Sequence, residues 1–362
     1  MTVLDLPRFD ATLTRMGVVL SPDGDPGEIE GVLNPAGVRD RDGRFLLYPR
    51  CVAAGNVSRV GRAVAAAGNG IPDFTREGYA LEPSAAYELR AEGSGGMGCE
   101  DPRVTFVPAL DRFVMAYTAF GPQGPRVAFA LSQDAYTWER LGLVDFADTG
   151  TPTGDDKDAA FFPEPVYSPA GVLSLAFYHR PMLKISTADG RNAIPAILER
   201  APRDRESTRI AYVPLAAVQR DITKLLAPAE SILVLAPDGP WGRIKTGGGT
   251  PPVRIEEGWL SLYHGVDALE VDGRYVMTYS AGFVVHDAER PHIIRYRSHA
   301  PVLVPEGRDE LHGVVNNVVF PTAIDELGDR RYDVFYGMAD ARIGCVRIEL
   351  APACSAADET AA

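Results

Sequence analysis

The sequence predicts an all-β protein, a five-bladed β-propeller, and three observations lead there. Pro (29) and Gly (36) punctuate the 362 residues so densely that the apolar runs between them are short, which favours strands and turns over long helices. A unit then recurs: a Pro, a short strand, a polar turn, and a strand ending on an aromatic residue. In the copies from Pro102 to Tyr117, Pro163 to Tyr178 and Pro321 to Tyr336, the Pro and the Tyr stand fifteen residues apart. Looser copies run from Pro35 to Tyr48, through Arg41-Asp42-Gly43, and from Pro252 to Tyr263, through Glu256-Glu257-Gly258. Third, these five copies begin about 60 to 90 residues apart, near 35, 102, 163, 252 and 321. That period fits a four-stranded blade, which cannot bury both faces alone and must stack on neighbours around an axis. A β-sandwich with fortuitously similar hairpins is the competing architecture. Residues 1–362 are read as a single domain with extensions at about 1–30 and 350–362. Only 214–226 has a helical pattern, with Leu215, Val218, Ile222 and Leu225 on one side.

Composition narrows the function. At 46% hydrophobic and 23% charged, the chain has enough apolar material for a sizeable core. A formal net charge of -13 argues against a nucleic-acid surface, because phosphate backbones are held by clustered Lys and Arg. No basic cluster followed by an apolar run opens the chain, and no stretch approaches the ~20 apolar residues that span a bilayer. A soluble cytoplasmic protein is expected. Cys51, Cys99, Cys345 and Cys354 are widely spaced, without the pairing of a zinc site or the density of a disulfide scaffold, and are read as reduced thiols.

In a propeller, residues just before each hairpin converge on one mouth of the central channel. This brings together Asn34, Glu100, Asp101, Lys157, Asp158, Glu164, Lys245 and the pair Asn316-Asn317. Taken singly, each is better explained as a turn former; together, their recurrence at one point of the repeat suggests a site. In Glu100-Asp101-Pro102 the Pro forces its predecessor towards an extended conformation, projecting Asp101 out of a regular ladder. A carboxyl at a channel suits proton donation to a glycosidic oxygen. Lys157, flanked by acidic residues, and His179-Arg180 occupy comparable points of one blade and could form an anion pocket, Arg giving a fork and Lys a point charge. Lys245-Thr246-Gly247-Gly248-Gly249-Thr250-Pro251-Pro252 is no nucleotide P-loop, since its Lys precedes the glycines and prolines follow. Its glycines are expected to let the backbone approach a bound sugar, with Tyr263-His264-Gly265 at the end of the same hairpin. No residues have metal-ligand spacing, and no Gly-x-Ser-x-Gly elbow occurs.

Across residues 34–348 the chain resembles glycoside hydrolase family 130, the inverting β-mannoside phosphorylases and related β-mannosidases. The resemblance is carried by Gly98-Cys99-Glu100-Asp101-Pro102-Arg103, Lys157-Asp158-Ala159-Ala160 with Phe162-Pro163-Glu164, and His179-Arg180-Pro181. Lys245 with the triple glycine, Gly258-Trp259-Leu260 with Tyr263-His264-Gly265, Val318-Val319-Phe320-Pro321, and Tyr336-Gly337-Met338-Ala339-Asp340 complete it. The resemblance implies that Asp101 is the catalytic acid, passing its proton to the glycosidic oxygen through a mannose hydroxyl. It implies phosphate binding by Lys157, His179 and Arg180, joined by Arg50. Asn34 and Asp340 match positions that hold the mannose ring, and Glu100, Asp158, Lys245, Tyr263 and His264 are expected as further substrate contacts, although His264 is equally well explained as a packed or turn histidine.

An inverting attack leaves ~6.5 to 9.5 Å between the acid and an opposing carboxylate base, whereas a phosphorylase places cations there. Because the basic positions are kept, the expected reaction is phosphorolysis of a short β-1,4-mannooligosaccharide or mannosyl-glucose to α-mannose 1-phosphate. Hydrolysis by water and a non-catalytic carbohydrate-binding propeller are the alternatives. Gly154 stands where the resemblance leads one to expect an arginine, and residues 201–240 look longer than usual. No cofactor or metal is expected beyond phosphate as co-substrate. The expected partners are a small β-mannoside and phosphate, with neither nucleic acid nor membrane, and a homo-oligomer is one open assembly state.

Overall fold

The computed structural model describes residues 9–66, 73–91, 93–151, 154–183 and 193–352. They form strands almost throughout, with helices of six residues or fewer. In chain order the strands make five antiparallel meanders. Meander I comprises Gly31–Arg39, Phe45–Ala53, Val57–Ala65 and Phe74–Leu81. Meander II comprises Met97–Val107, Arg112–Gly121, Gly124–Ser132 and Glu139–Leu143. Meander III comprises Asp156–Phe161, Leu173–Pro181, Thr208–Pro214 and Glu230–Leu235, and meander IV Lys245–Gly248, Gly258–Val271, Arg274–His286 and Ile294–Arg297. Short strands Val166–Tyr167 and Val253–Ile255 extend III and IV. Meander V comprises Val319–Gly328, Arg331–Met338 and Arg342–Leu350, and Ala11–Leu20 pairs with its last strand. The segment expected as an N-terminal extension therefore supplies an edge strand. Meanders I and II join into one eight-stranded sheet, but only through a brief parallel contact of Val57 with Met97 and Ser58 with Gly98.

Burial along the strands follows their place in the sheets. The first strands of I and II are buried almost continuously, as expected of strands covered on both faces, whereas Ala11–Leu20 and Phe74–Leu81 expose many of their residues. Five apolar clusters fill the spaces between sheets. Tyr48 and Val60 pack on Met115 and Tyr117 between I and II, and Phe129 and Val114 on Phe161 and Phe177 between II and III. Phe162 and Tyr178 pack on Trp259 and Tyr263 between III and IV, and Leu262 and Phe283 on Val334 and Tyr336 between IV and V. The fifth cluster, with Phe45, Leu47, Phe335 and Ile343, joins V back to I. There Thr322 Oγ1 donates to Pro35 O at 2.6 Å, and Val32 N to Ala341 O at 3.2 Å.

The first strands of I, II and III share one irregularity that positions the site. Leu33 faces Arg50 but Ala36 faces Tyr48; Glu100 faces Thr118 but Arg103 faces Ala116; Lys157 faces Arg180 but Ala160 faces Tyr178. Each strand thus carries one extra residue, a β-bulge. The residue entering each bulge, Asn34, Asp101 or Asp158, is left-handed, with φ of 42°, 47° and 62°, a conformation Asn and Asp tolerate better than other side chains; Asp101 is thus not extended as Pro102 had suggested, and the bulge rather than the proline projects it from the ladder. Pro35 and Pro102 sit inside these bulges, but Pro163 follows the strand end at Phe161. The interval from Pro163 to Tyr178 is therefore not the structural equivalent of that from Pro102 to Tyr117, although its length matches.

Residues 214–226 resolve into an α-helix at Leu215–Arg220 and a 3₁₀ turn at Ile222–Leu226, separated by Asp221, whose carboxylate accepts the Thr223 N–H. Cys51, Cys99 and Cys345 are buried free thiols; Cys354 lies outside the described residues. Among the described residues, no helix is long and apolar enough to cross a membrane.

Phe335 stacks on Phe45 at 5.2 Å between ring centres and meets the edge of Phe74 at 5.6 Å. Phe335→Ala should cost about 3 to 5 kcal/mol, read as a lowered urea midpoint, because it empties the space between the last meander and the first.

Candidate active site

The bulges turn Asn34, Asp101 and Asp158 away from the ladders and into two adjoining polar networks. In the first, Asp101 Oδ1 accepts from Asn34 Nδ2 at 2.9 Å and Arg50 Nη1 at 3.1 Å. Glu100 bridges the cations, with Oε1 2.9 Å from Arg50 Nη2 and Oε2 2.8 Å from Lys157 Nζ. Asp340, left-handed at φ 51°, follows the second strand of V and acts electrostatically on Arg50, Asp101 and Lys157. Three carboxyl groups thus face two cations.

The charges adjust to that imbalance. Burial would push the Asp101 carboxyl up, but Arg50, Lys157 and Arg103 together with the Asn34 N–H hold it below its usual value. Burial disfavours the Lys157 ammonium, yet Glu100 and Asp101 hold its pKa above the ordinary one. Asp340 has no such hydrogen bonds, and burial pushes it up to about 6 against the pull of Arg50, with Asp101 and Glu100 adding to the rise.

The second network centres on Asp158. Its Oδ2 accepts from Arg180 Nε at 2.6 Å and lies 3.6 Å from His264 Nε2, while Arg103 Nη2 lies 3.7 Å from Oδ1. Arg180 also pairs with Glu206. Although burial opposes its charge, Arg180, His264 and Arg103 hold Asp158 far below the carboxylate range. Arg103, almost wholly buried, ties the networks together by donating to the carbonyls of Asp101, Gly248 and Gly249 at 3.1, 2.9 and 3.1 Å. Burial, opposed by Asp158 and reinforced by the charges of Arg180 and Lys245, pushes His264 down to about 3, so the imidazole is neutral. Neither of its nitrogens has a hydrogen-bond partner, and Asn34 Oδ1 is likewise unpartnered. Lys245 Nζ stands 5.2 Å from the centre of the Tyr279 ring.

The triple glycine serves these contacts. A Cβ on Gly247 would lie 2.2 Å from His264 Cε1 and 2.3 Å from Asp158 Oδ2, and one on Gly249 would lie 2.2 Å from Leu262 O. The glycines are needed for the protein's own close approach, where the sequence had led us to expect approach to a sugar.

Asn34, Arg50, Glu100, Asp101, Lys157 and Asp340 thus come together, with Asp158, Arg180, His264 and Lys245 beside them. Two expected residues face elsewhere. His179 is fully buried, with Nδ1 2.7 Å from Asp156 Oδ2, Nε2 2.7 Å from Ser231 Oγ and its ring stacked 4.2 Å from Phe146, so it offers no nitrogen to an anion. Tyr263 packs on Trp241 and accepts from Arg297 Nε at 3.0 Å. The reason is common to both: neighbours along a strand point to opposite faces, so with Arg180 and His264 turned to the site, His179 and Tyr263 cannot be. Glu164 and Asn316 are exposed and join neither network. Arg103 and Glu206 were not singled out beforehand. Arg103 belongs to the quoted Glu-Asp-Pro-Arg run, but nothing in Glu206's surroundings in the chain marks it.

A family model described as β-1,4-mannooligosaccharide phosphorylase, glycoside hydrolase family 130, matches residues 27–190 and 224–353. The chain belongs to this family. Members of family 130 are glycoside phosphorylases and hydrolases, so the protein is an enzyme. The chain is 27% identical over 332 residues to a 1,2-β-oligomannan phosphorylase of Thermoanaerobacter sp. (strain X514), covering 89% of this chain and 91% of the relative. It is 36% identical over 108 residues to a β-1,4-mannooligosaccharide phosphorylase of Ruminococcus albus, 30% of this chain and 31% of the relative. Its fold is similar to that of the β-1,2-mannobiose phosphorylase from Listeria innocua in complex with β-1,2-mannobiose, with a TM-score of 0.67 at 20% identity over 93% of this chain and 96% of the other. The interval the family 130 model skips, 191–223, overlaps the stretch that looked longer than usual.

Asp340 titrates higher folded, at about 6, than it would unfolded, so its contribution to stability is present below the unfolded pKa near 4 and is lost as pH rises through 6. Asp340→Asn, which mimics the protonated group, should therefore stabilise the protein at pH 8 by about 2 kcal/mol, and the gain should shrink towards zero at pH 4, measured by urea midpoints at both pH values.

Proposed function

We propose that this family 130 enzyme is an inverting phosphorylase that cleaves a short β-mannoside with inorganic phosphate, giving α-mannose 1-phosphate. The observation that carries this reading is the buried Asp101 carboxyl bonded directly to Arg50, with Glu100 bridging Arg50 to a second cation, Lys157. A hydrolase needs a carboxylate base for water; a phosphorylase needs fixed positive charge for its nucleophile. Phosphate attacks the anomeric carbon on the face opposite the leaving group, the bond from that carbon to the glycosidic oxygen breaks, and the proton of Asp101 passes to that oxygen through a mannose hydroxyl. Asn34 and Asp340 hold the mannose ring, and the unpartnered Asn34 Oδ1 supports this, since a sugar hydroxyl would complete it. His264, buried and with neither nitrogen hydrogen-bonded, and Lys245 stand beside this site.

The depressed pKa of Asp101 fits the same reading. With the site empty, Arg50 and Lys157 keep this carboxyl ionised. A bound phosphate dianion offsets that positive charge and lets the proton stay on, so the acid is ready when the nucleophile is in place. The five meanders, packed in sequence with the fifth against the first, support a five-bladed propeller closed by Ala11–Leu20. β-1,2 linkage is favoured, because the relative aligning over most of the chain acts on β-1,2-oligomannan, whereas the β-1,4-specific one aligns over less than a third. A charged sugar phosphate does not cross membranes unaided, so the product is useful in the cytoplasm, where we place the enzyme.

Incubated with β-1,2- and β-1,4-mannobiose, the protein should form mannose 1-phosphate only when phosphate is present, and faster from the β-1,2 isomer. Equal release of free mannose with and without phosphate would instead identify a hydrolase. Asp101→Asn should lower kcat by about 10²- to 10⁴-fold, the range for loss of a general acid, with the fold intact by circular dichroism.

A further inference from the structure

Lys157 and Arg180 stand directly opposite each other across two strands of meander III, a pairing that is unfavourable for like charges. The ladder is weak at that point. On one side it ends, because Asp156 faces Pro181, which has no N–H to give; on the other side lies the bulge at Asp158. Something else must hold the two strands in place.

A chain of buried polar side chains lies just behind the pair. Asp156 Oδ1 accepts the Arg180 N–H at 3.0 Å, and its Oδ2 meets His179 Nδ1 at 2.7 Å. His179 Nε2 meets Ser231 Oγ at 2.7 Å, and that oxygen accepts from Arg209 Nε at 2.9 Å. A consistent run of donors follows: Arg209 to Ser231, Ser231 to His179, His179 to Asp156. Asp156 thus grips the backbone of one cation-bearing residue and is the chain neighbour of the other.

The equivalent places in I and II hold no carboxylate–imidazole pair, although Tyr117 in II donates to the buried Glu88 at 2.7 Å. Two residues before the bulge stand Val32 in I and Cys99 in II, where III has Asp156. Beside the facing residue stand Pro49 in I and Tyr117 in II, where III has His179. A buried carboxylate bonded to an imidazole costs desolvation, and at this position it stands in III but not in I or II, which calls for a local role. Ser–His–Asp geometry of this kind can also mark a nucleophile. Here Ser231, His179 and Asp156 are 5%, 0% and 3% exposed, and Phe146 covers the imidazole, so no substrate reaches the hydroxyl.

We propose that Asp156 and His179, backed by Ser231, are positioning residues that fix the spacing of Lys157 and Arg180 and thereby set the affinity for phosphate. This rests on the phosphorylase reading, with Lys157 as in that proposal and Arg180 as the further phosphate-holding cation that the family resemblance implies. The test is steady-state kinetics of mannose 1-phosphate formation, varying phosphate and mannobiose separately, with phosphate binding by calorimetry as a second readout.

Asp156→Ala should raise the phosphate KM and Kd about tenfold or more, the scale seen when an outer-shell partner is removed, with the mannobiose KM within about twofold. Asp156→Asn should restore most of the affinity, because an amide can still accept from the Arg180 N–H and donate to His179 Nδ1. An unchanged phosphate KM in folded Asp156→Ala, or an equal rise in both KM values, overturns the proposal. Should Asp156→Ala fail to fold, Ser231→Ala, which removes only the outer support, is expected to raise the phosphate constants about threefold, and no change there overturns it equally. If the wild-type protein bound no phosphate, the phosphorylase reading would fall, and this inference with it. Phosphate binding that is insensitive to Asp156→Ala removes this inference alone.

Discussion

A one-residue bulge entered by a left-handed Asn or Asp, repeated near the same point of the first strand in three successive meanders, is the constraint on which the site depends. A regular strand would send alternate side chains into the apolar spaces between sheets, where a carboxylate has no partner. The extra residue breaks that alternation once per strand, so that Asn34, Asp101 and Asp158 leave the packed faces without disturbing the ladder on either side. Left-handed backbone at a non-glycine residue costs on the order of 1 kcal/mol or more. Three such residues persist because Asn and Asp lose least there and because each side chain has a partner or a network waiting.

The charges gathered by the bulges are largely buried, and burial of charge does not by itself stabilise a protein. Their arrangement shows how the cost is limited. Arg103 gives its donors to three backbone carbonyls as well as standing near Asp158, Arg180 divides its guanidinium between Asp158 and Glu206, and Glu100 takes both Arg50 and Lys157. Asp340 is the member left without a hydrogen-bonded counter-charge, and it responds by holding its proton to higher pH. Close packing at Gly247 and Gly249 is part of the same economy, since any larger residue would separate Arg103 from its carbonyls or His264 from Asp158.

Much of the fold could be read from local pattern. Short apolar runs between Pro and Gly mark strands, and a recurring hairpin unit marks several similar sheets. Pro102 after Asp101 and Pro35 after Asn34 lie in two of the bulges, but the extended backbone that a proline favours in its predecessor does not form there, since both residues are left-handed. The third bulge has Ala159 in that place, and the nearby Pro163 drew the repeat four residues out of register. Strand alternation was also present in the sequence: once Arg180 and His264 are assigned to the site, their neighbours His179 and Tyr263 belong to the other face.

By itself the sequence determined which elements form and which residues could carry charge into an otherwise apolar interior, since strand propensity, turn chemistry and the Asp-Pro and Asn-Pro steps act over a few residues. Only the tertiary structure decided which of those charges meet. Lys157 reaches Glu100 and Arg103 reaches the carbonyls of Gly248 and Gly249 across separate sheets, and Asp156 and His179 become a buried pair only when the strands of meander III lie side by side. Such meetings depend on register and on the stacking of sheets far apart in the chain, and no short stretch of residues encodes a distance between itself and another.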